Sequence, residues 1–196
     1  MVTRPLRIKI VVVGASWGGI EAATQIFSAL PETLPVPVVL VQHQRISVHN
    51  RLAKLFETKA KLKVVAPEQG ELLEPGRLYV APPGYHTMID EGGHIALGLH
   101  RPVLYCRPAI DELFFSAGQI YGRSTLAVLL TGANEDGAAG MRYIKQRGGM
   151  TVVQDPATAE APVMPESAIK MGGVQHVVPL ANMADFICEQ VFGLQE

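Results

Sequence analysis

Cysteine is scarce. Cys106 and Cys188 are the only two among 196 residues, and they lie far apart in no metal-ligand spacing. That excludes a disulfide scaffold or a sequence-local zinc motif, and leaves two reduced, buried thiols of a cytosolic protein as the ordinary reading. Charge is sparse too: 18% of residues are charged, for a formal net charge of -1. Basic residues are mixed with acidic ones, so no stripe marks a nucleic-acid partner. Long apolar runs are missing. The first ends at Gly14-Ala15, too short for a signal-peptide core with its cleavage site, and no later stretch could cross a bilayer. A soluble, cytoplasmic protein without membrane insertion is therefore expected. No linker and no internal repeat divides the chain. What is present is 48% hydrophobic residues, enough for one sizeable core, so residues 1–196 are expected to form a single domain.

The apolar segments alternate between two patterns. Ile8 to Val13 and Pro37 to Gln42 are short β-branched runs that read as strands buried on both faces. Between them, Gly18 to Leu30 places Ile20, Ala23, Ile26, Phe27 and Leu30 at helical spacing, with Pro31 as a stop. Ser47 to Thr58 reads as a helix capped by Ser47. From about Val64 to Gly98, short strand candidates (Arg77 to Ala81, Thr87 to Asp90, His94 to Leu97) alternate with turn residues and predict antiparallel hairpins at the edge of the sheet. Helices follow at Pro108 to Tyr121, Ala138 to Arg147, Pro165 to Met171 and Ala181 to Phe192. Strands are expected at Thr125 to Leu130, Met150 to Val153 and Val174 to Val178. The expected fold is α/β: a doubly wound, mostly parallel sheet with helices on both faces and a small antiparallel hairpin extension.

Function in such sheets collects at the carboxyl ends of strands. Here one strand ends at Ser16, a second at His43, and a third runs into Thr131-Gly132-Ala133-Asn134-Glu135-Asp136-Gly137. A serine hydroxyl is a weak nucleophile until an imidazole takes its proton, and a carboxylate holds that imidazole in the useful tautomer. Gly14-Ala15-Ser16-Trp17-Gly18 has the G-x-S-x-G spacing that lifts a serine above a sheet edge. Backbone N–H groups near Trp17 and Gly18 are available there as oxyanion donors.

Each assignment has a rival. The glycines of Gly14 to Ile20 resemble a dinucleotide-binding turn, but the second strand ends in Gln42-His43 where a ribose would want an acid. None of the five tyrosines has a lysine four residues later. For the base, His176 competes because Ser16, Asp136 and His176 would follow the α/β-hydrolase order. It falls inside a strand, however, and His43 is preferred. Glu135 and Asp155 compete with Asp136, whose bland alternative is to cap the following helix.

Taken together, Gly14-Ala15-Ser16-Trp17-Gly18-Gly19, Gln42-His43 and Thr131 to Gly137 resemble the catalytic domain of the CheB family of protein-glutamate methylesterases. Leu73-Glu74-Pro75-Gly76, Tyr79-Val80-Ala81-Pro82, Arg107-Pro108-Ala109-Ile110-Asp111, Gln154-Asp155 and Met164-Pro165 extend the resemblance in order along nearly the whole chain. It implies a Ser16–His43–Asp136 triad with Trp17, Gly18 and Ala133 around the oxyanion and substrate, and no metal or cofactor. It also implies a chemoreceptor-type helical protein as partner, demethylated at glutamyl methyl esters with release of methanol, and glutamine deamidation as a second activity. Arg45, Arg101 and Arg107 are candidate contacts to that acidic surface. The chain departs from the pattern at Trp17, where threonine is usual, at Gln44, where methionine is common, and at Ala133-Asn134-Glu135. The family's N-terminal receiver domain has no counterpart in these residues: either they are the catalytic part cut from a longer chain, or this is a stand-alone member, the reading that the start at Met1 favours. A reading from another class keeps the triad as a relic in a domain that binds a signalling partner.

Overall fold

The computed structural model describes residues 8–44 and 51–193. Strand β1 (Ile10–Ala15) is buried along its whole length. It runs two residues past the expected end because Gly14 and Ala15 still pair in register with Val41 and Gln42 of β2 (Val38–Gln42). Helix α1 (Gly19–Ala29) lies between them and ends before Pro31. It buries Ala22, Ala23, Ile26 and Phe27, whereas Ile20, expected inward, faces solvent. Helix α2 (Arg51–Glu57) follows; the expected cap at Ser47 lies outside the described residues.

Next come β3 (Lys63–Val65), β4 (Arg77–Val80) and the hairpin strands β5 (His86–Ile89) and β6 (Ile95–Gly98). Here the structure corrects the sequence expectation. The Arg77 segment belongs to no hairpin: β4 pairs parallel with β2 on one side and with β3 on the other. Its tyrosine explains the misreading, since a polar tip on a fully buried ring looks half exposed in sequence. Inside the fold, the Tyr79 hydroxyl accepts from Glu74 N at 2.9 Å and donates to Leu72 O at 3.1 Å. Among the described strands, β5 and β6 form the antiparallel pair, as a separate two-stranded sheet.

The remaining elements are α3 (Ile110–Tyr121), β7 (Thr125–Leu129), α4 (Ala138–Gln146), β8 (Met150–Gln154), α5 (Val163–Lys170), β9 (His176–Val178) and α6 (Met183–Phe192). The main sheet has seven strands in the order β3-β4-β2-β1-β7-β8-β9. All of its pairings are parallel.

Alternation along β1 divides the core. Val11 and Val13 pack with Ile26, Phe27, Phe56 and Ile187 on one face. Ile10 and Val12 pack with Ile110, Phe114, Ile144 and Met164 on the other. Successive side chains of a strand point to opposite faces, and both faces are covered by helices, so the strands read as continuous apolar runs. From β1 the chain winds outward through β2 toward β3, and later returns to β1's other side as β7. The strand order therefore reverses at β1, and the crevice that doubly wound sheets use opens over the carboxyl ends of β2, β1 and β7.

Candidate active site

Ser16 is the first residue after β1. Its N–H donates to Thr131 O at 3.0 Å, and its carbonyl accepts from Gly19 N at 2.9 Å, opening α1. The turn needs glycine at 18, where φ is +75° and a Cβ would strike the Glu160 side chain. Glycine at 19 has a different cause: a Cβ there would collide with Gln42 Oε1. Gln42 uses that space to donate through Nε2 to Ser16 O at 2.7 Å and to His43 O at 3.0 Å. One amide thus ties the backbones of Ser16 and His43 together. Gln42 appears in the sequence only as the neighbour of a histidine, and its role as a brace has no sequence signature.

His43 links the other two residues. Its Nδ1 lies 3.1 Å from Ser16 Oγ, and its Nε2 lies 2.7 Å from Asp136 Oδ2. The ring is used in the opposite sense to the chymotrypsin-type triad, where Nε2 faces serine and Nδ1 faces aspartate. Strand order accounts for it. Ser16 rises from β1, adjacent to β2, and is reached by the nitrogen nearer the His43 backbone. Asp136 comes from the β7 side, a further strand spacing of roughly 4.8 Å away, and needs the outer nitrogen.

Asp136 is fully buried and does not cap α4, whose N-cap is Gly137 with no side-chain bond. It accepts instead from the first N–H groups of α3, Ile110 N to Oδ2 at 2.7 Å and Asp111 N to Oδ1 at 3.0 Å. These donors at the start of α3 fix the carboxylate's position. In neutral His43, a carboxylate accepting at Nε2 keeps the proton there and leaves Nδ1 free to accept from Ser16.

Burial by itself would drive the His43 pKa down. The hydrogen bond and charge of Asp136, with those of the Cys106 sulfur when ionised, outweigh it and raise the pKa to about 9.

The rival acids and base weighed from the sequence, Asp155, Glu135 and His176, lie elsewhere. Asp155 begins a 3-10 turn, accepting from Ala157 N at 2.9 Å, and Glu135 is exposed. His176 is an exposed residue of the edge strand β9, with its ring against Phe186.

The rim joins residues singled out in sequence, Trp17 and Ala133 among them, to Thr131, Glu160 and Cys106, whose roles appear only in the fold. Thr131 Oγ1 donates to Trp17 O at 2.9 Å and accepts from Ala161 N at 2.8 Å. The Trp17 indole, largely exposed, donates to Glu160 Oε1 at 2.7 Å. Ala133 is exposed beside the serine turn, after Gly132, whose N–H donates to Ala161 O. Cys106, expected to be an inert thiol, sits 3.6 Å from His43 Nδ1 and accepts from Asn134 Nδ2 at 3.5 Å. A cleft of about 390 Å³ beside His43 is lined by Gln44, Tyr105, Cys106 and Arg107. Arg107 donates to the carbonyls of Leu99 and His100 at 3.0 and 3.1 Å. Arg101 is exposed, and Arg45 lies outside the described residues.

A doubly wound parallel sheet with a serine, a histidine and a buried aspartate in hydrogen-bonded sequence at its switch point defines an α/β domain of the serine-hydrolase type. Its family is specific: residues 11–187 match the family described as CheB methylesterase, and the chain belongs to that family. A protein-glutamate methylesterase/protein-glutamine glutaminase of Carboxydothermus hydrogenoformans is 42% identical over 188 residues, covering 93% of this chain and 55% of the relative. A Leptospira interrogans relative is 39% identical over 175 residues, 89% of this chain and 91% of its own. The chain thus spans about half of one relative and nearly all of another. The crystal structure of the Thermotoga maritima CheB methylesterase catalytic domain superposes with a TM-score of 0.88 at 33% identity, covering 93% of this chain and 98% of that one.

Proposed function

We propose that residues 1–196 act as one catalytic domain that hydrolyses glutamyl γ-methyl esters on a methylated, helical protein of the chemoreceptor type in the cytoplasm. One observation carries the reading: the unbroken path from Ser16 Oγ through His43 Nδ1 and Nε2 to Asp136 Oδ2. Ser16 attacks the ester carbonyl while His43 takes its proton, and Asp136 stabilises the imidazolium that forms. The proton passes to methanol as it leaves. His43 then draws a proton from water, which hydrolyses the acyl-enzyme.

Ser16 N–H is committed to Thr131 O, so the oxyanion falls to the N–H groups at Trp17, Gly18 and Ala133. Glutamine deamidation follows the same route with ammonia as leaving group, as the Carboxydothermus relative's name suggests.

Ser16→Ala lowers methanol release from methylated receptor by on the order of 10³–10⁶-fold while leaving the fold intact. Release at the parent rate would remove Ser16 from the role of nucleophile.

A further inference from the structure

Acyl transfer asks for no sulfur, yet Cys106 is delivered to the base by a strained device. Val103 and Cys106 close a two-residue turn through paired backbone bonds, Cys106 N to Val103 O at 2.7 Å and Val103 N to Cys106 O at 3.1 Å. The two residues between, Leu104 and Tyr105, both adopt positive φ, 47° and 64°. Such turns favour glycine or asparagine, and bulky residues stay in them only where the surroundings hold them. The turn puts a half-buried thiol 3.6 Å from His43 Nδ1 at the wall of the open cleft.

We propose that this arrangement is a second, inhibitory site for a thiophilic divalent cation, represented by Zn²⁺, bound by Cys106 Sγ and His43 Nδ1 with Ser16 Oγ as third ligand. Zinc–sulfur and zinc–nitrogen bonds of about 2.3 and about 2.1 Å at a tetrahedral angle put the two ligand atoms roughly 3.6 Å apart, the separation found here. The serine oxygen lies 3.1 Å from Nδ1, within a few tenths of an ångström of the roughly 3.4 Å that such geometry asks. The fourth position opens on the cleft and takes water.

Among the described residues, His43, Cys106 and Asp136 can bring ligand atoms within 4.8 Å of one another, but Asp136 lies behind the ring and its oxygens already serve Ile110, Asp111 and His43 Nε2. It acts as the outer carboxylate that metal-binding histidines ordinarily hold on their second nitrogen. Asn134 Nδ2 also donates to the sulfur, at 3.5 Å. On binding, the Cys106 S–H bond and, where His43 is protonated, its Nδ1–H bond break, the protons go to solvent, and sulfur–metal and nitrogen–metal bonds form with no change of oxidation state. The lone pair of Nδ1 is then occupied and cannot take the serine proton. Only this inhibitory consequence rests on the hydrolase reading above; the binding does not.

The test uses the whole chain, stripped of metal, with Co²⁺ as the spectroscopic probe. One equivalent is expected to give intense tetrahedral visible bands and a near-ultraviolet sulfur-to-cobalt band, both displaced by Zn²⁺. Cys106→Ser removes the sulfur band and weakens Zn²⁺ binding by at least about 100-fold, and His43→Ala weakens it comparably. Zn²⁺ lowers the parent's ester hydrolysis at least tenfold, reversibly with a chelator, and leaves the Cys106→Ser protein's own rate unchanged at the same concentrations. A cobalt spectrum without the sulfur band, or equal Zn²⁺ affinity in the parent and Cys106→Ser, overturns the proposal. A parent that binds one cobalt through sulfur but hydrolyses no ester would instead sink the hydrolase reading and leave the metal site standing.

Discussion

At the scale of single residues, protonation of His43 sets the working range. Asp136 and the Cys106 sulfur overcome burial and raise its pKa to about 9, so near neutrality the imidazole is mostly protonated and cannot accept from Ser16. The base form grows as pH rises. kcat/KM for a soluble ester is therefore expected to climb about tenfold per pH unit from neutrality and level off near the His43 pKa. A profile already flat at neutral pH would show that the charged partners do not dominate the ring. The same shift bears on stability. A folded-state pKa raised above the unfolded one stabilises the fold fully below the unfolded value, and that contribution is lost as pH rises toward about 9.

Ser16, His43 and Asp136 were legible in sequence because each stands at a strand end beside glycine or a known dipeptide, and the structure brings the three together. The sense of the ring was not legible, because it follows from strand order. Gln42, Thr131 and Cys106 were not, because their roles exist only once separate segments meet. Cys106 carries the clearest lesson: metal-ligand spacing along the chain was absent, yet a thiol and an imidazole 63 positions apart come within 3.6 Å.

At the scale of elements, strands β1, β2, β7 and β8 could be read to within about two residues, since continuous β-branched runs bounded by glycine have few other meanings. Short β3 was missed and β4 was misplaced, because three or four residues with mixed polarity carry no period.

The contact between α3 and α4 holds a second buried carboxylate that sequence could not reveal. Asp111, in the first turn of α3, accepts from Gly140 N in the first turn of α4 at 2.7 Å. Burial, only partly offset by that bond, raises its pKa to about 6, and the charge of Asp136 adds to the rise. The folded protein therefore holds a proton that the unfolded chain has released, and stability falls as pH rises from the unfolded value of 3.8 through about 6. Asp111→Asn keeps an oxygen for Gly140 N and removes the charge. Its stability relative to the parent is expected to improve by about 2 kcal/mol between about pH 4.5 and about pH 7.5 in denaturant melts. Parallel curves for the two proteins would show that Asp111 titrates as it does in water.

At the scale of the whole molecule, the switch point at β1 is what makes the site. The parallel sheet with helices on both faces was foreseeable from alternating strand and helix patterns, but the full order was not, because nothing local says that β4 slips between β2 and β3. Family membership agrees with this level of the reading, since the match runs from residue 11 to residue 187 and so takes in all three strand ends.

The reversal of strand order at β1 also divides the chemistry along the chain. Ser16 and His43 both precede the exposed hairpin tip at Glu91-Gly92, whereas Asp136 follows it. The two parts meet along the five-residue register between β1 and β7 and beneath α3. A chain cut at that tip would leave the nucleophile and its base on one fragment and the acid on the other. Co-expressed, the fragments are expected to reassemble and recover ester hydrolysis that neither performs alone, making turnover a reporter of fragment complementation. Activity from the first fragment by itself would mean that Asp136 can be spared.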